Sequence, residues 1–163
     1  MAGLELNYAT AGTSLTAATE KTLLKIPSVA DRRQQVVQIE VNCTDIDPTN
    51  NHILVEILRQ AAAESGAGTS TALSPVLSEP DAPEAAAAIT AFPARRDYSA
   101  EPTWGTAPTL IMGIRVHPQG TRVLMLSDAQ GRIEGLANRA LYVRLTSPDG
   151  IAGNVTVNAR TLV

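Results

Sequence analysis

Cysteine occurs once, at Cys43, which excludes an intrachain disulfide and a four-cysteine zinc site. At the end of a strand-like run, that thiol reads as a small core residue rather than a nucleophile. Aromatic residues make up 3% of the chain, so its interior must be built from Leu, Ile, Val and Ala. Only two histidines are present, His52 and His117, and nothing in the sequence brings them together. Neither a nucleophile elbow nor a helical zinc-binding His pair accompanies them. A glycine-rich phosphate loop is also missing; Gly66-Ala-Gly68, flanked by Ser and Thr, reads as a flexible tip. No apolar run approaches the ~20 residues that span a bilayer, so no membrane partner is expected. No basic segment precedes an apolar one near Met1, so no signal peptide is expected and synthesis is placed in a cytoplasm. The formal net charge of −3 gives no support to nucleic-acid binding. With none of these constellations, the reading is of a protein that is not an enzyme, with no catalytic residue, cofactor or metal.

What is present is alternation. The chain of 163 residues suits one domain with a proper core, and its hydrophobic content of 44% is that of a globular protein. Leu4, Leu6 and Tyr8 alternate with Glu5 and Asn7, which makes residues 1–19 a short edge strand or an arm that docks elsewhere. Glu20–Ile26 is a second strand, with Thr22, Leu24 and Ile26 on one side and Pro27 as its stop. In Gln34–Asn42, Val37, Ile39 and Val41 alternate with Gln38, Glu40 and Asn42, a period of two rather than 3.6. Ile53–Gln60 reads as a strand, though Leu54, Val55, Ile57 and Leu58 also satisfy a helix face. Thr109–His117 and Thr121–Leu126 flank Pro118-Gln-Gly120 and predict a hairpin. On its first arm Leu110, Met112, Ile114 and Val116 form the core face. Asp128–Arg132 is a further turn. Leu141, Val143 and Leu145 point inward from the next strand, Ser147-Pro-Asp-Gly150 is a turn, and Val155, Val157 and Ala159 line the last strand.

Between Ala61 and Pro108 the composition changes to Ala, Ser, Thr, Gly and Pro, and six prolines interrupt any regular ladder. Only Pro83–Ala91 has helical character. The stretch reads as a long irregular insertion, lying over the sheet and ordered in part by a neighbouring copy. It holds Phe92, Tyr98 and Trp104 beside Arg95-Arg96-Asp97. Aromatic and Arg residues are the usual anchors of protein interfaces, so Phe92, Arg95, Arg96, Tyr98 and Trp104 are the candidate interface. The same residues would equally tack the insertion onto its own sheet. Eleven of the thirteen basic residues are Arg, which suits contact surfaces, although coding bias gives the same inventory. Residues 61–109 carry six acids and two arginines, and residues 110–163 carry three acids and six arginines. Asp45-Ile-Asp47-Pro-Thr49-Asn-Asn51 with Glu56 places oxygens at positions 1, 3, 5 and 12 of a calcium loop, but Asn50 replaces its glycine and the flanks are strands. A polar turn between strands accounts for this match, and no metal is assigned to Asp45 or Asp47.

About eight strands, turn signals between them and almost no helix define an all-β chain. The expected architecture is a β-sandwich, jelly-roll-like, over residues 20–163 with the insertion at 61–108. Four stretches, Ile53–Gln60, Ser78–Glu84, Tyr98–Gly105 and Val116–Gly120, resemble small structural proteins of tailed bacteriophages, of the head decoration or cement type. The resemblance covers about residues 20–163. It implies a homo-oligomer, expected as a homotrimer, on the outer head surface of the virion. Its partners would be other copies and the major capsid protein, whose lattice it would stabilise, with the 1–19 arm able to add a strand to a neighbour's sheet. The competing expectation is a tail or baseplate protein that binds host surface glycans through the insertion. A cupin-like enzyme on the same scaffold is disfavoured by the two histidines.

Overall fold

The computed structural model describes residues 4–27, 34–44, 51–78, 92–126, 133–135 and 139–163. The turn expected at Asp128–Arg132 and the helical stretch Pro83–Ala91 lie outside them, as do Asp45 and Asp47. Along the chain come β1 (Glu5–Ala9), β2 (Thr13–Leu15), β3 (Glu20–Ile26), β4 (Gln34–Cys43), β5 (Ile53–Arg59), β6 (Glu64–Gly66), β7 (Thr69–Leu73) and β8 (Val76–Leu77). They are followed by β9 (Ala94–Ala100), β10 (Thr103–Trp104), β11 (Thr109–Val116), β12 (Thr121–Met125), β13 (Ile133–Gly135), β14 (Leu141–Thr146) and β15 (Ile151–Leu162). There is no helix among the described residues, so the all-β expectation holds and Ile53–Arg59 is a strand.

One sheet runs β12-β4-β15-β1-β8, with β13 also on β4 and β2 on β15; the other runs β11-β5-β14-β3-β9-β7. All these ladders are antiparallel. The inner faces of both sheets bury their side chains in one continuous cluster: Leu6, Ile39, Val41 and Val157 from the first, Leu24, Val55, Val143 and Leu145 from the second. The chain is therefore a β-sandwich with an aliphatic core, as a composition this poor in aromatics requires. Cys43 is a buried part of that core.

Two expectations are corrected. The runs on either side of His117–Gly120 are strands but not a hairpin: β11 pairs with β5 in one sheet and β12 with β4 in the other. Hydrophobic alternation and a Pro/Gly turn report strands and a reversal; they do not report in which sheet each strand finds its partner. The described residues of the insertion, 61–78 and 92–108, are not irregular, since they supply β6–β10, and β9 extends the six-stranded sheet beside β3. The N-terminal segment, read from the sequence as a short edge strand or an arm, contributes β1, with Glu5–Ala9 paired along Asn158–Leu162 of β15.

Bulges account for the errors of phase. An irregularity between Leu110 and Met112 carries Leu110 to the outer side, where it is 54% exposed, while Val116 keeps its place in the core. A second lies where β15 pairs with Gln38 and then Val36, skipping Val37, so Val36 is buried in place of Val37. A third, opposite β14, puts Thr22 across from Arg144 and Leu24 across from Val143, so Thr22 does not share the core face of Leu24.

After β14 the chain bends at Pro148 and Asp149, and Gly150 takes φ 77° there. A Cβ at that position would stand 2.9 Å from the backbone nitrogen of Ala17. Gly150→Ala is expected to destabilise the protein by about 1–3 kcal/mol in urea unfolding. Gly113→Ala on β11, whose Cβ would make only an ordinary contact of 3.8 Å with Leu54 Cδ1, is expected to change stability by less than about 1 kcal/mol.

Candidate functional site

The outer face of the six-stranded sheet carries most of the polar chemistry. In an antiparallel ladder, directly opposed residues share a face. Tyr142 stands across from Lys25 on one side and Leu58 on the other, and Arg144 stands across from Thr22 and Glu56. Arg144 makes a fork to Glu56 Oε2 (3.0 and 2.8 Å) and reaches Glu20 at 2.5 Å. Thr22 donates its amide and its hydroxyl to the Glu101 carboxylate, at 2.7 and 2.5 Å.

Over this face lies the small sheet of β6 and β10, a third layer made by the insertion. Trp104 on β10 meets the Tyr142 ring edge-on at 4.8 Å, and Leu58 and Ala140 complete a second apolar cluster. Glu64 on β6 accepts the Tyr142 hydroxyl and the Lys25 ammonium, the latter at 2.9 Å. Lys25 also stands 5.4 Å above the Tyr142 ring. A tyrosine on the nominally wet side of β14 is thereby fully buried.

The candidate interface residues separate accordingly. Phe92 and Tyr98 are 0% and 2% exposed, and their rings are buried within this chain. Large aromatic rings gain more from immediate burial on the chain's own sheet than from waiting for a partner. Trp104 is half-buried on Tyr142. Arg96 lies 3.5 Å from Asp97, whose carboxylate also accepts the Ala11 amide and the Thr13 hydroxyl and so ties β9 to the segment leading into β2. Arg95 alone is well exposed, and it is not ion-paired among the described residues.

Arg95 borders an open depression of about 380 Å³ with Lys25, Gly68, Thr69, Ser70 and Tyr98. Gly68, at φ 68°, is packed rather than loose, since a Cβ there would lie 2.4 Å from the carbonyl oxygen of Ala100. Among the described residues the site therefore offers a cation without an ion-pair partner, Arg95, with two hydroxyls and the side of a tyrosine. Lys25, Glu64 and Tyr142 were not foreseen, because the strand that covers them comes from the Ala- and Ser-rich insertion.

Elsewhere, the structure joins two residues that the sequence leaves apart. His52 and His117 meet with ring centroids 5.7 Å apart. Glu56, the last oxygen of the calcium-like pattern, is engaged by Arg144 on the sheet. Among the described residues no group of three or more His, Cys, Asp or Glu side chains is gathered to hold a metal. No family model matches this chain, and neither a curated protein nor a solved structure is found similar to it.

All three tyrosines are shielded. Burial pushes Tyr8 and Tyr98 up to about 12, opposed by hydrogen bonds to Gln34 and Thr161 and to Ser70 respectively. Tyr142 is raised as well, by burial first and then by its bond to Glu64. A folded-state value above the unfolded one near 10 means stability that is complete below that pH and is lost as pH rises toward about 12. Alkaline titration is expected to show almost no tyrosinate absorption at about pH 11 in folded protein, and then its appearance together with unfolding.

Proposed function

We propose that this chain is a structural component of a tailed-phage virion, of the head decoration type, and that its sandwich is a jelly roll. The carrying observation is the path of the eight principal strands β1, β3, β4, β5, β11, β12, β14 and β15. Numbered one to eight, they lie in the order six-three-eight-one in one sheet and five-four-seven-two in the other. That is the order of a wrapped double Greek key. A stiff two-layer block of this kind suits a role in which the protein bears load by contact.

The surface supports a role in contact. The exposed large apolar residues among those described are Val76, Leu110, Val123 and Met125, and each sits on an edge strand of one sheet or the other. Edge strands with apolar side chains are where sheets associate. The partners are further copies of the chain, as a homotrimer, and the major capsid protein, with weak contacts multiplied over the lattice. Cement action here is a matter of contact and rigidity, without a chemical step.

The test is to add purified protein to heads that lack it. Co-sedimentation and a raised rupture temperature are expected, and both should fall in the exposed-edge variant Leu110→Asp/Val123→Asp. Heads that neither bind the protein nor gain resistance to heat would overturn the proposal. The depression beside Tyr98 favours one second reading, a tail or baseplate protein that binds host glycans. That reading requires binding to host cells that is lost in Arg95→Ala.

A further inference from the structure

The pairing of β5 with β11 ends at Ile53 opposite Val116. Continuing that register by one rung sets His52 directly across from His117, on the face opposite to the buried Ile53 and Val116. Both imidazoles are exposed, and their rings meet at 5.7 Å with an interplanar angle of 88°. From this juxtaposition we infer that His52 and His117 form a cross-strand chelate for a late first-row divalent metal ion such as zinc, with water completing the shell. The inference is independent of the virion reading.

The geometry fits the chemistry. Zinc–nitrogen bonds of about 2.0–2.1 Å place the ion about 3.2 Å from each imidazole centroid. A tetrahedral angle then puts the two centroids about 5.2 Å apart, close to the observed 5.7 Å. Two ligands on adjacent paired strands are held together by the ladder before the metal arrives, so little ordering is left to be done on binding. Imidazole selects zinc, copper and nickel, whereas calcium and magnesium seek oxygen.

One local bond identifies the change at His117. The Gln119 amide donates to His117 Nδ1 at 3.2 Å, so the neutral ring carries its proton on Nε2. A metal at Nδ1 displaces the Gln119 amide. A metal at Nε2 moves the ring proton to Nδ1, which cannot accept from that amide. In both cases the Gln119 contact ends, and no net proton leaves the neutral ring. The Gln119 amide is therefore a direct reporter of occupancy.

The experiment titrates untagged protein with zinc chloride in chelator-free buffer, followed by heat of binding and amide proton–nitrogen spectra, with calcium chloride as the control. Expected are saturable one-to-one zinc binding, a shift of the Gln119 amide, and no response to calcium. His52→Asn and His117→Asn, both at exposed positions, are each expected to weaken zinc binding by about tenfold or more while leaving the rest of the spectrum in place. No saturable zinc binding, an equal response to calcium, or undiminished binding by the double variant would each overturn the inference.

Discussion

Two sheets share one aliphatic interior, and every other feature of the molecule answers to that burial. With so few rings available, the space between the sheets is filled by Leu, Ile and Val from both inner faces, and each strand must keep its apolar side toward the partner sheet. A one-residue error would turn an entire strand inside out. The chain corrects its phase with bulges at Val37 and near Leu110 and Leu23 rather than with changes of composition. The same requirement takes β11 and β12 into different sheets: the turn at His117–Gly120 carries the chain across the edge of the sandwich.

The segment between Ala61 and Pro108 shows how a stretch with few large apolar residues becomes ordered. It gains little burial of its own, so it borrows the sheet's. Phe92 and Tyr98 enter the structure, Trp104 closes over Tyr142, and Glu64 and Glu101 take up Lys25, Tyr142 and Thr22 on the outer face. A buried hydroxyl and a half-buried ammonium are tolerable there because one carboxylate serves both. This third layer leaves Arg95 as the exposed member of the aromatic–arginine group, beside a depression open to solvent. The apolar contact surface lies instead along the sheet edges at Val76, Leu110, Val123 and Met125.

Much of the fold was legible because strands half-buried against a core must alternate. Val155, Val157 and Ala159, or Leu141, Val143 and Leu145, declare their inward side by period alone, and the structure buries all of them. The candidate site was less legible. Tyr142 alternates outward with Arg144 and Thr146, and it is buried by the arrival of β6 and β10, both from earlier in the chain, where Trp104 precedes it by 38 residues and Glu64 by 78. His52 and His117 are separated by the whole insertion, and their meeting depends on the β5–β11 register.

From its sequence alone, this chain is determined to be all-β, aliphatic within and without an intrachain disulfide, because residue period and side-chain inventory are local properties. Only the tertiary structure decided which strands pair, where bulges reset the faces, and which polar groups share a carboxylate. Those outcomes rest on contacts between segments far apart along the chain, and such contacts leave no mark in the spacing of neighbouring residues.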